Sequence, residues 1–112
     1  YQRAETQYRR VIADRTAVLG PTHPTTLVSK LNLAATLRRW GDPQAAVPLM
    51  REAVEAKLVA PAAWDDPTVQ RYVVNLANTC AAAGDAAAAE RWYAAVLPAI
   101  RRRTGTDGPQ LA

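Results

Sequence analysis

Asn32 and Asn75 are the residues whose type and spacing carry the clearest chemical message in this chain. Each stands in an Asn-Leu-Ala string, the two strings lie 43 residues apart, and each runs on to Gly-Asp, at 41–42 and 84–85. An amide offers a donor and an acceptor together, which suits the backbone of an extended peptide. Arg38, Arg39 and Arg71 lie on the same stretches, and a guanidinium can hold a carboxylate through two bonds. Asn is an indifferent helix former, so its place inside a helical stretch needs a reason. Two are open: contact with a ligand, or a bond to the next helix that locks the stacking of repeats.

Other chemistry is poorly served. His23 is the only histidine and has no Cys, Asp or second His at metal spacing. Cys80, between Thr79 and Ala81, lies on a packing stripe and reads as an inert buried thiol. Asp65-Asp66 reads as a helix cap ahead of Thr68 rather than half of an acid–base dyad. No phosphate-binding Gly-rich loop, zinc spacing, nucleophile elbow or triad order occurs. The expectation is a protein with no catalytic residues, cofactor or metal. Trp40, Trp64 and Trp92 are candidate anchors for a partner.

The elements that position these residues follow from composition and punctuation. The chain has 112 residues, a net charge of +4 and no Phe. Ala, Leu and Arg, all good helix formers, dominate, and a run such as 81–89 would make a poor strand. No stretch reaches the ~18–20 apolar residues of a membrane span. Arg3, Glu5, Arg9 and Arg10 interrupt any early apolar run of the signal-peptide kind. A lone cysteine fits a reducing compartment, so a cytoplasmic location is expected.

Thr25 or Thr26 is expected to cap a helix that ends at Gly41. Asp42 caps the next, with Pro43 at its first position, and that helix runs to about Val59. Asp66-Pro67-Thr68 repeats the start, Gly84 the stop and Asp85 the cap; a last helix covers about Ala86 to Arg102, and an opening one Tyr1 to Leu19. Ala4, Tyr8 and Val11 of the opening helix match Ala46, Met50 and Ala53, then Ala89, Tyr93 and Val96. The loop Gly20–Pro24 recurs as Gly105–Pro109, and the middle loop, Pro61–Pro67, is longer. The result is an all-α chain of five antiparallel helices, alternating second, first, second, first, second. It divides into a second helix at 1–19, full repeats at 24–60 and 66–103, and a linker with the start of another repeat at 104–112. It reads as a slice of a longer array. One stripe of each first-type helix should pack inward: Leu27, Leu33, Ala34 and Leu37, then Val69, Val73, Leu76, Ala77 and Cys80.

Small residues at matched places (Ala34, Ala46, Ala53, Ala77, Ala89), a Gly-Asp turn between paired helices and an aromatic or Met on the second helix resemble tetratricopeptide repeats. A unit of roughly 42 residues rather than 34, with Val18-Leu-Gly-Pro-Thr-His-Pro-Thr-Thr-Leu27, is similar to the kinesin-light-chain type. Cys80 departs from that pattern, standing where a large aromatic is common. Twelve Arg against two Lys, with abundant Ala, suggest an actinobacterial type of sequence. The resemblance implies a right-handed α-α superhelix whose first-type helices line a concave groove that holds protein partners, often within bacterial regulatory or signalling proteins. The implied groove wall is Val28, Leu31, Asn32, Ala35, Arg38 and Arg39, then Arg71, Val74, Asn75 and Asn78.

Neither first-type helix carries an acidic residue. The expected partner is therefore a protein or peptide of acidic character, with no membrane role. A structural spacer, self-associating through its end repeats, is the alternative. Nucleic-acid binding is weaker still: the pI near 9.7 favours it, but acids are interspersed and no aromatic stripe accompanies the arginines.

Overall fold

The computed structural model describes residues 2–104, and the structure follows the chain's punctuation closely. Five helices succeed one another: α1 (Gln2–Leu19), α2 (Pro24–Arg39), α3 (Pro43–Lys57), α4 (Pro67–Ala82) and α5 (Ala86–Thr104). No strand occurs among the described residues. Each helix packs on its neighbours in sequence, and the array measures 52 × 30 × 20 Å. Its radius of gyration is 15.4 Å, above the ~13 Å of a compact domain of about this length. This is a helical solenoid. The second linker is not open loop: Pro61–Asp65 coils into a 3₁₀ turn. Tyr1, the recurrence of the first loop at Gly105–Pro109 and the start of another repeat at 109–112 lie outside the described residues.

The turns explain why paired helices fold back on each other. Gly41 and Gly84 adopt φ of +85° and +92°, the left-handed region in which glycine carries no side-chain penalty. Gly41 N–H donates to the Arg38 carbonyl (3.1 Å) and Asp42 N–H to that of Leu37 (2.9 Å). Gly84 and Asp85 repeat this on Ala81 (3.0 Å) and Cys80 (2.9 Å). The same aspartates then start the next helix. Asp42 Oδ1 accepts from Ala45 N–H (3.2 Å) and Asp85 Oδ1 from Ala88 N–H (3.0 Å). Asp66 caps α4 through Thr68 N–H (2.8 Å). The start of α2 differs from expectation. Neither Thr25 nor Thr26 is the cap; Pro24 already occupies the first turn, so the cap falls on His23, whose Nδ1 accepts from Thr25 N–H (3.1 Å).

Every residue of the two packing stripes is buried, Leu27, Leu33, Ala34 and Leu37 on α2 and Val69, Val73, Leu76, Ala77 and Cys80 on α4. Ala46 and Ala53 on α3 and Ala89 on α5 are buried too, and side chains this small let the helix axes approach closely. Several polar residues are buried as well. Thr36 and Thr79, at matched positions, donate back to the carbonyls of Asn32 (2.9 Å) and Asn75 (2.7 Å). Gln70 donates to the Trp64 carbonyl (2.8 Å) and accepts from Arg103 Nε (2.7 Å), tying the 3₁₀ turn to α4 and α5.

Thr26 is the exception: its hydroxyl is fully buried and has no hydrogen-bond partner. The matched residue in the second repeat is Val69, of the same shape. Thr26→Val should therefore stabilise the protein by about 1 kcal/mol, because an unpaired buried hydroxyl carries an uncompensated desolvation cost. At the corner, Gly84→Ala should cost about 1–2 kcal/mol through its left-handed backbone, and Asp85→Ala about 1 kcal/mol through the lost cap, with Asp85→Asn close to neutral. Urea unfolding of the four variants checks all of these, and opposite signs for Thr26→Val and Asp85→Ala are the key outcome.

Candidate functional site

Eight of the ten expected groove residues fall into two hollows or a structural contact. The larger hollow, about 730 Å³, is lined by Asn32, Ala35, Thr36, Arg38 and Arg39 of α2, Asn75 of α4, Tyr8 of α1 and Met50 of α3. The two matched asparagines thus open into one space. A second hollow of about 410 Å³ holds Arg71 and Val74 beside Gln70 and Arg103. The two are adjacent along α4, where Arg71, Val74 and Asn75 follow at helical steps of three and four. Val28 is exposed, and Leu31 packs against the core; neither lines these hollows.

The asparagines divide by role. The Asn78 amide oxygen accepts a hydrogen bond from the Tyr93 hydroxyl of α5, so Asn78 locks one helix to the next. The side-chain amides of Asn32 and Asn75 have no partner among the described residues, while their backbone carbonyls accept from Thr36 and Thr79. In the first repeat the positions matched to Asn78 and Tyr93 are Ala35 and Met50. Ala35 is too short to cross the gap and the Met50 thioether donates no hydrogen bond, which leaves room for the hollow.

Charge is uneven along α2 and α4. Lys30 pairs with Glu52 at 3.2 Å and adds no free charge to the wall. Arg38, Arg39 and Arg71 have no acidic partner among the described residues; Arg39 only donates to the Thr36 hydroxyl (3.4 Å). The Arg101–Arg103 run, in the last turn of α5, ties back to earlier elements. Arg102 meets Asp65 at 3.3 Å and Arg103 meets Gln70.

Tyr8, Met50 and Thr36 were not among the expected wall residues. The signal for the first two was present, since Tyr8, Met50 and Tyr93 recur at one place on the second-type helices. Reading it as a wall required knowing how far the second helix reaches around the first. His23 and Asp66 are occupied as caps. No group of three or more His, Cys, Asp or Glu able to hold a metal occurs among the described residues, and no described helix is long and apolar enough to cross a membrane.

A stack of helical hairpins in which each helix packs on its neighbours defines a helical-repeat protein. The family model described as tetratricopeptide repeat matches residues 1–58, more than half of the chain. The chain belongs to the tetratricopeptide repeat family, whose repeats are generally protein–protein interaction modules. No curated protein matches it.

Cys80 lies 2% exposed at the foot of a separate cleft. Burial pushes its pKa above the ordinary 9.0; Asp85 adds to the rise, and Arg51 and Arg91 oppose it. A raised value means that folding favours the neutral thiol. Its contribution is full below the unfolded value and is lost as pH climbs through the folded one. Native Cys80 should react with a thiol reagent at pH 8 more than about tenfold slower than in urea. The stability difference between wild type and Cys80→Ala should narrow above pH 9.0.

Proposed function

We propose that this chain is a protein-interaction module of the kinesin-light-chain repeat type, acting within a larger cytoplasmic regulatory or signalling protein. Its α2–α4 wall holds an extended peptide of acidic character. The Asn32 and Asn75 amides hydrogen-bond to the peptide backbone, and Arg38, Arg39 and Arg71 take carboxylates from its side chains or a free C-terminus. One observation carries the reading: two amides duplicated 43 residues apart open unused into a single hollow, next to arginines that lack acidic partners. Support for the repeat type comes from the longer unit and the Gly20-Pro-Thr-His-Pro24 string.

Calorimetric titration with capped acidic peptides and their Gln-substituted counterparts tests this. Arg38→Gln/Arg39→Gln should weaken binding of the acidic peptide about tenfold or more, at least the size of one charge-assisted contact, and added salt should do the same progressively. Asn32→Ala and Asn75→Ala should weaken acidic and neutral peptides alike, because they read backbone. Equal binding of both peptides, with Arg71→Glu without effect, defeats the acidic-partner reading.

A further inference from the structure

The other side of α4 carries a second cleft, of about 350 Å³, between the second-type helices α3 and α5. Cys80, from the packing stripe, forms its floor; the indoles of Trp64 and Trp92 contribute walls, and Arg51 and Arg91 belong to its lining. Both indoles are only partly buried. Neither guanidinium has a hydrogen bond or ion pair among the described residues, and both stand near enough to the Cys80 sulfur to oppose the effect of burial on it. The single acid in the lining, Asp85, is engaged in capping Ala88 N–H.

The backbone at Trp64 is held in place before anything binds. It belongs to the 3₁₀ turn, and its carbonyl accepts from the buried Gln70 amide at 2.8 Å. The next residue, Asp65, pairs with Arg102 at 3.3 Å. A residue whose backbone is fixed in this way has less freedom to lose on binding, and Trp with Arg is the composition of binding hot spots. The space lies at the low end of the roughly 300–1,000 Å³ of small-molecule sites and is open to solvent, which suits side chains of a polypeptide.

We propose that this cleft is a second docking site, separate from the α2–α4 wall, for a segment of a protein partner that inserts an apolar side chain between Trp64 and Trp92 and sets flanking carboxylates against Arg51 and Arg91. The choice of occupant follows from charge complementarity: two cations without partners beside a short apolar cleft call for acids on either side of an apolar residue.

The test uses the full chain carrying Arg38→Gln/Arg39→Gln, so that loss of the first wall cannot decide the result. The probe is the capped peptide acetyl-Glu-Glu-Leu-Glu-Glu-amide, with acetyl-Gln-Gln-Leu-Gln-Gln-amide as control. Indole N–H resonances are assigned by single Trp40→Phe, Trp64→Phe and Trp92→Phe changes. The acidic peptide should shift the Trp64 and Trp92 signals and leave Trp40 in place. Replacing Glu by Gln in the peptide, or adding Arg51→Gln/Arg91→Gln to the protein, should each raise the Kd about tenfold or more. Circular dichroism of that variant should be native, since both arginines are exposed. Unmoved Trp64 and Trp92 at millimolar peptide, equal binding of the two peptides, or an unchanged Kd in the folded Arg51→Gln/Arg91→Gln protein would each overturn the proposal.

Discussion

The Gly-Asp corner is the constraint on which the rest of the structure depends. A helix end leaves backbone carbonyls without partners, and the next helix begins with unpaired N–H groups. Two residues deal with both. Gly84 turns the chain at φ +92°; the Asp85 N–H returns to the Cys80 carbonyl, and its carboxylate caps α5. Gly41 and Asp42 do the same between α2 and α3. So short a connection leaves the second helix no choice but to run back along the first, and the fully buried Ala34 and Ala46 lie where the two come together. Once both hairpins have this shape, α2 and α4 take equivalent places, and Asn32 and Asn75 reach one hollow.

Given a common backbone, agreements and differences between the two repeats separate what the packing uses from what it leaves unused. Thr36 and Thr79 agree and make the same bond, so their agreement belongs to the fold. Asn78 and Tyr93 close the gap between α4 and α5, whereas Ala35 and Met50 leave the corresponding place open. The asparagines at 32 and 75 agree without an internal bond to their side chains. Agreement of that sort has no explanation in the packing of these helices, which is why the proposed function rests on it.

Local signals made most of the fold legible in the sequence. Glycine needing a positive φ, aspartate before a helix, proline in a first turn and an apolar stripe at helical spacing each act within a few residues, and together they set the helix limits and the buried stripes. The failures were of two kinds. Some were local but unusual: an imidazole nitrogen capping α2, and a linker whose proline and alanines suit a 3₁₀ turn as well as a loop. Others needed distance. The Lys30–Glu52 pair, the Asn78–Tyr93 bond and the burial of Gln70 between Trp64 and Arg103 join separate elements. Gln70 even occupies the place of Leu27 in the first repeat, so pattern alone argued for an apolar residue there. The candidate wall was accordingly half legible. Its asparagines and arginines could be picked out, but its division into two hollows, and the contributions of Tyr8 and Met50, depend on how the helices cross.

Part of the basic character of the two hollows follows from the same chemistry that builds the corners. Asp42, Asp66 and Asp85 are committed to helix N-termini, where the backbone N–H groups and the helix dipole hold them. Glu5, Glu52 and Asp65 face Arg9, Lys30 and Arg102. These carboxylates are spent on keeping elements in place, while Arg38, Arg39 and Arg71 on one side of the array and Arg51 and Arg91 on the other keep no acid of their own. A net charge of +4 spread evenly would be a weak attraction for anything. Arg38 and Arg39 beside an unused amide pair in one hollow, and Arg51 and Arg91 beside two indoles in another, are the places at which the proposed docking sets a partner's acids.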